Sequence, residues 1–184
     1  GGVQVQLAQR LRLDTGQAMD RGSVLHAWFE LVEWLDDGEP DDDALRAAAG
    51  PLVSRGLDVS DLIGQFRRAL SRPAVRASLT RATYEEPPRA GAAARIHASP
   101  KLRQPEWEVS RECPFALREG DALLSGKMDR LVVLRDGGRA VGADVLDFKT
   151  DAVQANDPAA LEARVEWYRP QLEAYCRAAA AFLE

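Results

Sequence analysis

The chain has 184 residues, 46% hydrophobic and 29% charged, which is enough for one domain with a substantial core and ordinary for a soluble globular protein. No apolar run approaches a membrane span, the N-terminus lacks a basic stretch followed by an apolar one, and two cysteines, Cys113 and Cys176, cannot build a zinc site or an iron–sulfur cluster by themselves. The net charge of −5 weighs weakly against nucleic acid, yet Glu30 to Asp61 is strongly acidic while from Arg67 to Arg118 arginines outnumber acids roughly two to one.

Residues 1–19 carry mixed signals and read as an approach segment. From Gly22 to Leu35 the apolar positions Val24, Leu25, Trp28, Phe29, Leu31, Val32 and Leu35 fit a buried amphipathic helix that also carries His26. After the acidic turn Asp36 to Asp43, helical patterns recur at Asp42 to Ala49 and at Val59 to Leu70, with Asp58 or Ser60 as a cap, and a short helix follows from Pro73 to Arg81. Glu85 to Gln104 is rich in Pro, Ala and Arg without a period and reads as a loop; His97 within it has no role assigned. Glu106 to Leu117 reads as the first strand, interrupted at Pro114 as on an edge or at a bulge.

Ser125 to Thr150 (SGKMDRLVVLRDGGRAVGADVLDFKT) contains two apolar strand patterns joined by Asp136-Gly137-Gly138, which predicts a β-hairpin. Asp129 stands near the start of its first strand and Asp147 near the end of its second, so antiparallel pairing brings the two acids together. Alternation puts Asp147 and Lys149 on one face and Leu146 and Phe148 on the other. Paired acids at one end of an apolar hairpin repel each other unless a cation joins them, and a divalent metal meets that need. Ser125-Gly126-Lys127 is no P-loop, because Gly120 stands one residue too far away and Met128 replaces the Ser or Thr. Beyond a linker, Asp157-Pro158 predicts an N-capped helix to about Val165, and Pro170 predicts the start of another, on which Gln171 and Tyr175 share a face. The sequence stops where a longer parent would continue, so a domain of a larger chain is expected.

Asp129 followed by Asp147-Phe148-Lys149 resembles the signature of the PD-(D/E)XK nuclease superfamily. Five pieces in order are similar to RecB-like and AddA/AddB-like nuclease domains: GSVLHAWFE (Gly22 to Glu30), RECPF (Arg111 to Phe115), SGKMDR, DFKT and QLEAY (Gln171 to Tyr175). The likeness spans most of the chain, with the region between Asp36 and Val109 unmatched in detail. It implies an α/β restriction-endonuclease-like core, a small mixed β-sheet flanked by helices, in a single domain over 1–184 with a helical and loop insertion at 38–105. As metal ligands it implies His26, Asp129, Asp147 and the backbone carbonyl of Phe148. Lys149 would hold the attacking water, Glu112 would ligate a second ion or position water, and Gln171 and Tyr175 would contact phosphate or neighbouring groups. Glu108, on the same strand face, is the rival to Glu112.

The cofactor implied is Mg²⁺, with Mn²⁺ able to substitute, and no iron–sulfur cluster. The activity implied is DNA exonuclease cleavage in the cytoplasm, with no membrane association, as the nuclease module of a helicase–nuclease acting in double-strand break repair. Its partners would be a single-stranded end or unwound strand of DNA, a helicase motor in the parent chain and a partner subunit. The alternatives are a stand-alone phage- or CRISPR-associated nuclease and a non-catalytic DNA-binding scaffold.

Overall fold

The computed structural model describes residues 3–6, 16–53, 57–86, 96, 101–150 and 157–183, and of 3–6, 16–19 and 122 the backbone alone. Its sheet is organised around one long strand. Strands β1 (Val3–Gln6), β2 (Pro105–Glu119), β3 (Ala122–Asp136) and β4 (Arg139–Leu146) form a mixed sheet in which β3 pairs with all the others. β2 runs antiparallel along one side of β3, from Pro105↔Asp136 to Glu119↔Ala122. On the other side β1 pairs in parallel with Ala122 to Ser125, and β4 pairs antiparallel with Arg130 to Asp136. The β3–β4 connection is the expected hairpin: Gly137 and Gly138 have φ of 56° and 82°, the doubly left-handed geometry that a two-residue turn matching strand twist requires.

One face of the sheet is covered by helix α1 (Gly16–Leu31) and, behind it, by α2 (Asp42–Ala49), α3 (Val59–Leu70), α4 (Pro73–Leu79) and α5 (Arg81–Glu85). Val24, Leu25, Trp28, Phe29 and Val32 pack against Leu45, Ala49, Leu62, Ile63, Phe66 and Leu70 in one apolar cluster. Each large side chain buried there contributes about 1.5–3 kcal/mol. Trp28 also donates its indole N–H to the Leu45 carbonyl at 2.7 Å, so its polar atom is satisfied. Asp41 accepts from the Ala44 N–H, and Asp58 accepts from those of Ser60 and Asp61, capping α2 and α3 for about 1 kcal/mol each. Of the two predicted caps for α3, Asp58 is the one used.

The opposite face is covered by α6 (Pro158–Leu183), which buries only Ala174, Tyr175, Ala178 and Ala179. These meet Met128, Leu131 and Val133 of β3, with Cys113, Phe115 and Leu117 of β2 alongside. The fit is close at Gly126, where a Cβ would lie 3.0 Å from the Phe115 ring, tight enough that the ring would have to shift.

The architecture is the expected small mixed sheet flanked by helices, but several boundaries differ. The segment 1–19 contributes strand β1, and α1 begins at Gly16 and ends at Leu31, followed by one 3₁₀ turn at Leu35–Asp37. The helix predicted from Pro73 to Arg81 divides at Thr80, whose backbone is extended. Helix α6 is continuous through Pro170; the missing N–H removes one intrahelical hydrogen bond, on a turn exposed to solvent. Pro114 does not interrupt β2, because β2 is paired on one side only among the described residues, and a proline there need not donate. Most of the predicted loop at 85–104, His97 included, lies outside the described residues. Ile96 within it sits 3.1 Å from where a Cβ on Gly142 would be.

Candidate metal centre

The site lies where β2 and β3 change face together. On β2, Trp107 and Val109 pack with Trp34 and Tyr84 on the α1 side, whereas Cys113, Phe115 and Leu117 face α6. On β3, Val132 belongs to the α1 side, while Leu131, Val133 and also Met128 face α6. In a regular strand Met128 and Val132 would share a face. The register is the same on either side, Arg111↔Arg130 and Cys113↔Met128, with Glu112 and Asp129 unpaired between them, so both strands turn over at the same level, the one holding Glu112 and Asp129. Glu112 carries the turn: its φ of 53° is left-handed, a conformation costing a non-glycine residue about 1–2 kcal/mol. As a result each strand offers two consecutive side chains to the α1 side, Arg111 with Glu112 and Asp129 with Arg130.

Helix α1 brings His26 over this level. His26 Nδ1 lies 3.3 Å from Asp129 Oδ1, and one donor atom from each of His26, Glu112 and Asp129 falls within 4.8 Å of the others. They line a cleft of about 470 Å³ with Gly22, Ser23, Glu30 and Lys127. Glu112 is paired with Lys127 of the neighbouring strand. Asp129 Oδ2 accepts from the Phe148 N–H at 2.6 Å. Because a side chain takes that N–H, β4 ends at Leu146 and Asp147-Phe148-Lys149 lies just past the strand rather than inside it.

The β3–β4 pairing ends at Arg130↔Leu146, so Asp129 and Asp147 each stand one residue beyond the last paired rung. The Asp147 side chain is 5% exposed and accepts from Lys149 Nζ at 2.6 Å. Burial pushes its carboxyl above the usual range, Lys149 pulls against that, and Asp129 raises it further. Lys149 lies over the Tyr168 ring of α6, 4.7 Å from its centre, while Phe148 points the other way and stacks on Phe29 of α1 at 4.1 Å. That stack fixes this segment against the same helix that carries His26. On α6, Gln171 donates to the Tyr175 hydroxyl at 2.5 Å, and its own amide oxygen is buried with no hydrogen-bond partner among the described residues. Burial above all pushes the Tyr175 phenol up to about 12, and the charges of Asp147 and Asp129 add to the shift.

The candidates therefore fall into three groups. His26, Glu112 and Asp129 are gathered tightly; Asp147 and Lys149 form a buried pair beside them; Gln171 and Tyr175 approach from α6. Glu108 is elsewhere, paired with Arg135 at 2.6 Å on an exposed stretch of β2. Lys127 was overlooked in the sequence, although its position two residues before Asp129 on one strand already implied a shared face. Arg130 was overlooked too. It is 1% exposed, donates to the Val32 and Glu33 carbonyls at 2.9 and 2.5 Å, and so clamps the end of α1 to β3 beside Asp129. Burial lowers its pKa to about 10, which leaves it charged at neutral pH.

The donor set suits a divalent ion. Two carboxylates and an imidazole are ligands for Mg²⁺, Mn²⁺ or Zn²⁺, and bonds of about 2.1 Å place opposite ligands about 4.2 Å apart, so a small inward movement suffices.

A family model described as the PD-(D/E)XK nuclease superfamily matches residues 4–183. The chain belongs to the PD-(D/E)XK nuclease superfamily. Its mixed sheet and flanking helices are those of the restriction-endonuclease-like fold. Membership implies a nuclease acting on DNA, and nucleases of this superfamily typically use a divalent metal. No curated protein and no solved structure matches the chain. Among the described residues no helix is long and apolar enough to cross a membrane.

Proposed function

We propose that the chain is a metal-dependent DNA exonuclease domain, cytoplasmic, with Mg²⁺ as the working ion and Mn²⁺ as a substitute. The observation that carries this reading is the cluster of His26, Glu112 and Asp129 donors beside the buried Asp147–Lys149 pair. His26, Asp129 and Asp147 would hold the ion, with the Phe148 carbonyl as a further oxygen. When bound, the ion supplies Lewis acidity and charge neutralisation at a phosphate. Asp147 keeps the Lys149 ammonium at the edge of the cleft, where it orients water and offsets charge growing on the phosphate. Glu112 supports water or a second ion, and Tyr175, neutral at working pH, lies within electrostatic reach of Asp147 and Asp129. Residues 38–105 are read as a helical insertion that supports α1.

The pieces shared with RecB-like and AddA/AddB-like domains support a place in a helicase–nuclease that processes double-strand breaks, with a motor in the parent chain and a partner subunit. The test is degradation of end-labelled single-stranded DNA in Mg²⁺, with Mn²⁺-dependent melting as the independent readout. Lys149→Ala is expected to lower the cleavage rate by about 10²-fold or more while keeping the Mn²⁺-induced rise in melting temperature. Cleavage at the parent rate by Lys149→Ala would remove that lysine from the mechanism.

A further inference from the structure

We propose that Lys127 competes with a divalent cation for Glu112 and, once displaced, binds a phosphate of the nucleic acid. The inference rests on the metal-site reading above, but concerns a residue to which that reading gives no part. Lys127 shares a face of β3 with Asp129 and sits diagonally across from Glu112, because its own rung partner is Pro114. Glu112 is 17% exposed and Lys127 56% exposed, so a largely buried carboxylate is met by an ammonium reaching in from the mouth of the cleft. Glu112 has a second acid, Asp129, within its own donor cluster. Two carboxylates at that spacing repel each other, and positive charge placed beside them offsets the repulsion. His26 lies against Asp129, and Lys127 lies against Glu112.

A divalent ion held by His26 and Asp129 brings a double positive charge to the same place. Ion and ammonium then repel each other, and Glu112 no longer needs the lysine. Its long stem lets the freed ammonium swing outward with three donors available, and a phosphodiester is the anion that a nuclease substrate presents there. The exchange links metal loading to backbone grip without reading base sequence.

The test compares the natural chain with Lys127→Met. Mn²⁺ affinity is measured by calorimetry, and binding of a single-stranded oligonucleotide in Ca²⁺ is measured across a salt series. Lys127→Met is expected to bind Mn²⁺ about three- to tenfold tighter, since removing a competing ion pair is worth up to about 1 kcal/mol against a single charge and more against a double one. It is expected to bind the oligonucleotide more weakly, with the slope of log K against log salt shallower by about 0.7, one phosphate contact on a single strand. Lys127→Arg restores that slope. Mn²⁺ binding that does not tighten, or a salt slope that does not change, overturns the proposal while leaving the metal site in place. Absence of Mn²⁺ binding by both proteins overturns this proposal and the metal reading together.

Discussion

The two faces of the sheet are built from different materials. On the α1 side Trp28 and Phe29 pack on Phe66 of α3, and Phe29 stacks on Phe148 just past β4, with ring centroids 4.1 to 5.5 Å apart. Toward α6 the contacts are made by three alanines and Tyr175, against Gly126 and Phe115. A thick aromatic layer fixes the helix that carries His26, and the Phe29–Phe148 stack extends that rigidity to the Asp147-Phe148-Lys149 segment. The thin layer lets α6 come close enough for Gln171 and Tyr175 to approach the same acids. Ligand geometry is therefore set by one face, and the α6 face adds polar groups that can adjust.

This contrast breaks most visibly in stability. Trp28→Ala should cost about 3–5 kcal/mol, whereas Tyr175→Phe on the thin face should cost no more than about 1.5 kcal/mol, the worth of one hydrogen bond; urea unfolding of both variants gives the comparison directly. Equal losses would mean that α6 anchors the fold as much as α1 does.

A smaller effect concerns Asp147. Its folded-state pKa is raised, chiefly by burial, so protonation favours the native state. Its stabilising share is full below the unfolded-state value of 3.8 and is lost as pH rises through the raised value. At neutral pH in chelator, Asp147→Asn should therefore melt at a higher temperature than the natural chain. The difference should shrink as pH falls toward 4, and cleavage should be abolished at every pH. A lower melting temperature for Asp147→Asn at pH 7 would show that the Lys149 pair outweighs the burial.

The smallest effect is expected at Glu112. Glu112→Gly removes the penalty of its left-handed backbone, about 1 kcal/mol, and loses an ion pair worth less than that because Lys127 is exposed. A gain of a few tenths of a kcal/mol in urea, together with weaker Mn²⁺ binding, is the expected outcome. Destabilisation would mean that the ion pair, not the backbone, dominates here.

The β3–β4 hairpin was legible because glycines stand at both positions that must be left-handed and because LVVL and VL flank them. The helices at Asp42–Ala49 and Val59–Leu70 were legible from their period and caps. Strand β1 was not, since four alternating residues pair only through a partner more than a hundred positions away. The continuity of α6 was hidden by Pro170, because a proline inside a helix costs about 3 kcal/mol and so reads as a helix start. Within the site, the approach of Asp129 to the Asp147 segment followed from antiparallel pairing, and the grouping of His26 with Asp129 was implied by the family resemblance. The turn-over at Glu112 had no signature, because a glutamate gives no warning of a positive φ. Lys127 shares a face of β3 with Asp129 and follows it into the cleft.

A manganese-soaked crystal provides the most direct measurement, through anomalous difference density. A peak bonded to His26, Asp129 and Asp147, with Lys127 turned away from Glu112, is the predicted result. Full Mn²⁺ loading with no peak at His26 and Asp129, or with the ion bound elsewhere, would contradict the metal centre described above.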